Sequence, residues 1–142
     1  MNNNDLKLLF WEITSLCNLR CQHCRSDDPS RRVENELRLE EIKGVTDQVI
    51  EFSRPLVILT GGEPLLRKDI FEITAYISSK NLYVGLATNG TLITAKKAKQ
   101  IKGSGMRLVS ISLDGKDAKT HDEFRRMPGC FQKALEAIEH LR

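Results

Sequence analysis

"LVILTGGEPLLRKDI", residues 56–70, is the stretch that decides the fold. It opens on a short apolar run of Leu, Val and Ile, which favours strand over helix. The chain then turns through Gly61 and Gly62 and reaches Ile70, Ile73 and Ile77, a stripe at three- and four-residue spacing behind a helix cap at Asp69. Strand, glycine turn, helix is the order to look for elsewhere.

It recurs three times. "LKLLFWEIT" (6–14), "LYVGLAT" (82–88) and "RLVSISL" (107–113) are strand-like runs bounded by breakers. Between them Ile42, Val45, Val49 and Phe52 mark one helix, and Thr94 caps another whose buried side is Ala95, Ala98 and Ile101. On the last helix Phe131, Ala134, Leu135, Ile138 and Leu141 face one way. Four such units predict an α/β fold with a parallel sheet built from βαβ connections. No linker or composition shift divides the chain, so residues 1–142 read as one domain. The polar stretch 26–36, "SDDPSRRVENE", is the only long connection, of the kind that is functional or mobile.

With 40% apolar and 29% charged residues among 142, the chain can bury a real core. A net charge of +3, with both signs interspersed, argues against a nucleic-acid surface. No secretory signal and no membrane-spanning run is visible, which predicts a cytoplasmic protein without a membrane partner. There thiols stay reduced, so clustered cysteines read as metal ligands before disulfides.

The unusual residues fall where each strand ends. "CNLRCQHC" (17–24) follows the first, "GGEP" (61–64) the second, "TNG" (88–90) the third and "SLDG" (112–115) the fourth. Carboxyl ends of parallel strands carry the active sites of such folds. Cys17, Cys21 and Cys24 offer three thiolates, whereas a structural zinc site wants four ligands, with His23 an awkward fourth. An iron–sulfur cube also takes four cysteines, so three would leave one iron open to a substrate or cofactor. Cys130 lies far along the chain at a helix start and reads as a partly buried structural thiol.

"CNLRCQHC", "GGEP" and "SLDG", in that order and each after a strand, resemble the motifs of the radical S-adenosylmethionine enzymes. "TNGTLI" and "SLDG....HDEFRRMPG" are similar to the branch that often carries a C-terminal auxiliary-cluster (SPASM-type) region and modifies peptides, sulfatases or haem-related tetrapyrroles. The resemblance implies a 4Fe-4S cluster on Cys17, Cys21 and Cys24, and S-adenosylmethionine completing the fourth iron. Cleavage would give a 5′-deoxyadenosyl radical that takes hydrogen from a substrate, with electrons from a low-potential donor of the flavodoxin or ferredoxin type. Gly61 and Gly62 would let the backbone approach the methionine moiety, Glu63 would meet its ammonium group, and Ser112 or Asp114 would hold the ribose. Asn89 would join them, and His23 stands where the family has an aromatic residue near the adenine. His121 and Arg125 could reach the cofactor carboxylate, with a surface salt bridge at a helix start as the favoured reading. The implied fold is the first four βα units of a partial (βα)6 TIM-like barrel. With a fifth strand and later cysteines not in the sequence, the expectation is a fragment or a short form completed by a partner chain. The competing readings are a non-catalytic zinc- or iron–sulfur-binding module and an inactive fragment.

Overall fold

The computed structural model describes residues 6–24 and 36–142. The long connection anticipated at 26–36 therefore lies, except for Glu36, outside the described residues. Four strands form one sheet in the order β1 (Leu8–Thr14), β2 (Leu56–Gly61), β3 (Tyr83–Thr88), β4 (Met106–Ile111). All three pairings are parallel, so each connection must cross back over the sheet, and helices do this. They are α1 (Leu39–Phe52), α2 (Ile70–Ser79), α3 (Ala95–Gly103), α4 (Ala118–Arg125) and α5 (Cys130–Leu141). Among the described residues no helix is long and apolar enough to cross a membrane.

Among the described residues, the helices cover one face of the sheet. Val57, Leu59, Val84 and Leu86 alternate onto it and are fully buried against Ile42 of α1, Ile70, Ile73 and Ile77 of α2, Ala98 and Ile101 of α3 and Ala137 of α5. The other face carries Leu8, Phe10, Tyr83 and Leu108, all exposed, with Phe10 and Tyr83 keeping more than half their surface in solvent. Register places Phe10, Ile58, Gly85 and Leu108 side by side across the four strands. This is the inner wall of an incomplete barrel, and it agrees with the anticipated partial TIM-like fold.

Three stripe positions depart from expectation for one reason. Phe52, Ala95 and Leu135 are exposed. At 100° per residue each stands about 90–130° from the centre line of its helix's buried residues, too far round to join them. On α1 that line passes through Ile42 and Thr46 and ends at Ser53, whose hydroxyl donates to the Leu6 carbonyl at 2.8 Å. Asp69 occupies the cap position of α2 but makes no capping bond, because the Arg67 guanidinium takes its carboxylate at 2.7 and 3.1 Å. Thr94 does cap α3, accepting from the Lys97 amide at 3.2 Å. Helix α4 was not anticipated as a separate element. Its sequence signal is Asp117, whose side chain accepts from the Thr120 amide.

The site end of the sheet depends on two glycines. Gly61 has φ +138°, and a Cβ there would stand 2.2 Å from the Thr14 carbonyl oxygen. A Cβ on Gly62 would stand 2.2 Å from the Leu16 carbonyl oxygen. These obstacles are backbone atoms and cannot rotate away. Gly62→Ala is therefore expected to lower the unfolding free energy by roughly 1–3 kcal/mol, the cost of overpacking. Gly44→Ala, in α1 with nothing within 4 Å of the added carbon, should raise it by about 0.5–1 kcal/mol. Urea denaturation of both variants checks the pair, and equal midpoints would show that the contact at Gly62 is unimportant.

Candidate functional site

The close approach at Gly61 and Gly62 welds the end of β2 to the start of the cysteine loop. Gly62 donates its amide to the Thr14 carbonyl at 2.9 Å, and Glu63 donates to the Leu16 carbonyl at 2.6 Å. Cys17 follows immediately. A second tie comes from Arg67, whose guanidinium donates to the Ile13 carbonyl at 2.6 Å and to the Leu37 carbonyl at 2.6 Å. Glu36 closes the same corner by accepting from the Thr14 hydroxyl at 2.7 Å and the Ser15 amide at 2.8 Å. The chain thus leaves β1 through the cysteine loop and returns to the same strand end.

The loop opens onto a cavity of about 220 Å³ at the carboxyl ends of the strands. Cys17, Cys21, His23 and Cys24 line it from the loop, Gly61 and Gly62 from the end of β2, Asn89 from the end of β3 and Ser112 from the end of β4. Arg125 reaches it from α4. Burial pushes the Cys17 thiol up, against the Leu19 amide, which donates to Sγ at 3.4 Å. Burial also pushes Cys21 up, opposed by the Arg125 guanidinium. Among the described residues, no three His, Cys, Asp or Glu side chains converge on a point that one metal ion could occupy. Three free cysteines line one cavity, and a cube takes each thiolate on a different iron, so the donor set fits a cluster. Cys130 is buried at the start of α5, away from the cavity, its thiol pushed up to about 11 by burial and the Asp122 carboxylate.

Two anticipated ligands do not line the cavity. Glu63, assigned by resemblance to an ammonium group, is wholly buried behind the wall. Its carboxylate accepts from the Leu65 amide at 3.1 Å, the Thr88 hydroxyl at 2.8 Å and the Asn89 amide at 2.8 Å. Burial still pushes this carboxyl up, with the three donors opposing. Asp114, assigned to a ribose, instead accepts from Arg125, at 2.7 Å from Nε. Asn89 lies on the wall and is locked: its side-chain oxygen accepts from the Thr91 amide and hydroxyl, and its NH2 donates to Asn18 of the cysteine loop at 2.9 Å.

The expectation of a surface salt bridge at His121 and Arg125 is corrected. Both are buried, the histidine completely. The His121 Nδ1 accepts from the Asp114 amide at 3.2 Å, and burial pushes this imidazole's pKa down. The two residues are four apart and share the inward face of α4, a pattern that becomes legible once Asp117 is read as a cap. Arg67, Glu36 and Phe124 carried no such signal, because each works through a partner distant in sequence.

Residues 11–142 match the Radical SAM superfamily family description. The chain is 45% identical over 139 residues to the AdoMet-dependent heme synthase of Methanosarcina barkeri, covering 98% of this chain and 40% of that protein. It is 40% identical over 135 residues to the Fe-coproporphyrin III synthase of the same organism, covering 95% and 34%. The structure of native anSMEcpe with bound AdoMet superposes with a TM-score of 0.78 at 28% identity, over 96% of this chain and 40% of that one. The chain therefore spans well under half the length of these relatives.

Glu63→Gln sets an NH2 against one of the three donors that the carboxylate now satisfies. It is expected to destabilise the apoprotein by roughly 1–3 kcal/mol, the cost of a buried group left unpaired. Urea denaturation without cofactor is the check, since a carboxylate that served only a ligand would leave the midpoint unmoved.

Proposed function

Because this chain belongs to the radical SAM superfamily, whose proteins bind a 4Fe-4S cluster and S-adenosylmethionine, we propose that it forms the first part of the core of an enzyme acting on a tetrapyrrole. The observation that carries this reading is the cavity, lined by three thiols and by residues from the ends of the other three strands. Its relatives' names, heme synthase and Fe-coproporphyrin III synthase, support the substrate class. A low-potential flavodoxin- or ferredoxin-type donor and a reducing, cytoplasmic setting suit three free thiols, of which Cys17 is exposed, Cys24 half-buried and Cys21 buried.

When bound, the cluster and S-adenosylmethionine together supply a 5′-deoxyadenosyl radical able to abstract hydrogen. Cys17, Cys21 and Cys24 would hold the cluster and leave one iron without a protein ligand. Gly61 and Gly62 would present backbone to the methionine moiety, while the space their side chains would need is taken by the Thr14 and Leu16 carbonyls. Arg125, fixed by Asp114, offers a buried cation to a carboxylate. Ser112 and Asn89 offer hydrogen bonds to hydroxyl groups, and His23 gives the cavity a flat ring near the adenine. Glu63 acts from behind the wall by holding the Thr88–Asn89 turn, and Asp114 from outside the cavity by aiming Arg125.

Anaerobic reconstitution of the full protein with iron and sulfide, followed by dithionite and S-adenosylmethionine, should yield 5′-deoxyadenosine. A loaded protein that yields none would overturn the enzymatic reading. Alanine at Cys17, Cys21 or Cys24 should abolish the brown absorbance, while Cys130→Ala should retain it. Arg125→Gln should keep the cluster and weaken S-adenosylmethionine binding by roughly ten- to a hundredfold, the range for a charged hydrogen bond. Equilibrium titration of that variant reads the effect, and unchanged affinity would remove Arg125 from the cofactor's neighbourhood.

A further inference from the structure

Between Cys21 and Cys24 stand only Gln22 and His23, and both are engaged by the end of helix α4, about a hundred residues away. The Gln22 amide donates to the Phe124 carbonyl at 2.9 Å, and its side-chain NH2 donates to the Glu123 carbonyl at 3.1 Å. The His23 ring lies on the Phe124 ring with centroids 4.5 Å apart and planes 6° from parallel. Within the turn itself one backbone bond is formed, from the Cys24 amide to the Cys21 carbonyl at 3.1 Å.

We propose that α4 is the seat of the cysteine loop, and that Phe124 is a positioning residue that fixes where Cys21 and Cys24 stand. A helix ends with carbonyl groups that lack partners in the helix, and something must satisfy them. Here α4 stops because Arg126 adopts a left-handed conformation at φ 52°, which brings the last carbonyls out toward the loop. Gln22 satisfies the Phe124 carbonyl and adds a second donor to the Glu123 carbonyl, which also accepts from the Arg126 amide at 3.2 Å. Phe124 then adds a flat apolar surface on which His23 can lie, so the turn is held on a rigid element as well as by its own single bond. Next along the helix, Arg125 faces the cavity. One turn of α4 therefore supports the loop and lines the site together. The aromatic character at position 23 has a structural use, with one face of the ring taken by Phe124.

The proposal rests on the reading that Cys17, Cys21 and Cys24 hold a cluster, and the test separates the two. The full protein is reconstituted anaerobically as wild type, Phe124→Leu, Phe124→Tyr, His23→Ala and the His23→Ala/Phe124→Leu double variant. Iron and sulfide content, the rate of iron loss to a chelator and the EPR spectrum of the reduced cluster are measured, with urea midpoints of the apoproteins as the structural control. Phe124→Leu and His23→Ala should each speed iron loss by roughly two- to twelvefold, the range carried by a stacked aromatic pair, and broaden the EPR signal. Phe124→Tyr should match wild type, and the double variant should be no worse than either single one. If Phe124→Leu does not fold, His23→Ala decides, because it leaves α4 untouched. Wild-type retention and spectra in both single variants, or effects that multiply in the double variant, would overturn the proposal while leaving the cluster reading intact. A wild-type protein that takes up no cluster would overturn both.

Discussion

No side-chain carbon fits between the Gly61–Gly62 turn and the backbone of residues 14–16, and everything at the site end of the sheet follows from that contact. Once the two segments touch, Gly62 and Glu63 can donate to the Thr14 and Leu16 carbonyls, which sets the height at which the cysteine loop departs. The contact also drives Glu63 inward, where its carboxylate gathers the Thr88 hydroxyl and the Asn89 amide. Asn89 in turn grips Asn18 of the cysteine loop. Three strand ends are thus locked in a ring of short-range polar contacts that begins with two missing side chains.

The fourth strand end is tied in by other means. Ser112 donates its amide to the Thr88 carbonyl at 3.1 Å, which extends the β3–β4 pairing up to the cavity. Beyond it Asp114 turns back to hold Arg125 on α4. The wall of the cavity consequently has two layers. Residues that face the space are mostly small, neutral or cysteine, whereas Glu63 is buried behind them and Asp114, itself exposed, holds Arg125 from outside the cavity. Burying a carboxylate is costly unless donors surround it, and here the donors are the very groups being placed.

The sequence made the architecture legible because period-two and period-3.6 patterns are local. Strand ends agree to within two residues, and the turn motifs fall where parallel sheets place function. The same locality misled at Phe52, Ala95 and Leu135, since a stripe drawn at threes and fours drifts from the buried line over a few turns. That the cysteine loop and the strand-end turns meet at one cavity was legible from their order along the chain. Site chemistry was not legible where it depends on which way a side chain points. Glu63 and Asp114 look like ligands in a motif but face the protein, while Arg125 looks like a surface cation and faces the cavity. Phe124, Arg67 and Glu36 act across long sequence separations that no window reveals.

The corner built by Arg67 and Glu36 has a consequence in polymer terms. The chain leaves the cysteine loop at Cys24 and is recaptured at Glu36 and Leu37 on the end of β1, so residues 25–35 span two anchors at one corner of the site. The entropy of closing such a ring grows only with the logarithm of its contour, about 0.6 kcal/mol for each doubling. Added length between these anchors therefore costs little. A scaffold that fixes the residues on either side of a segment can accept a longer segment between them at little cost, and the guanidinium of Arg67 is the pin on the far side.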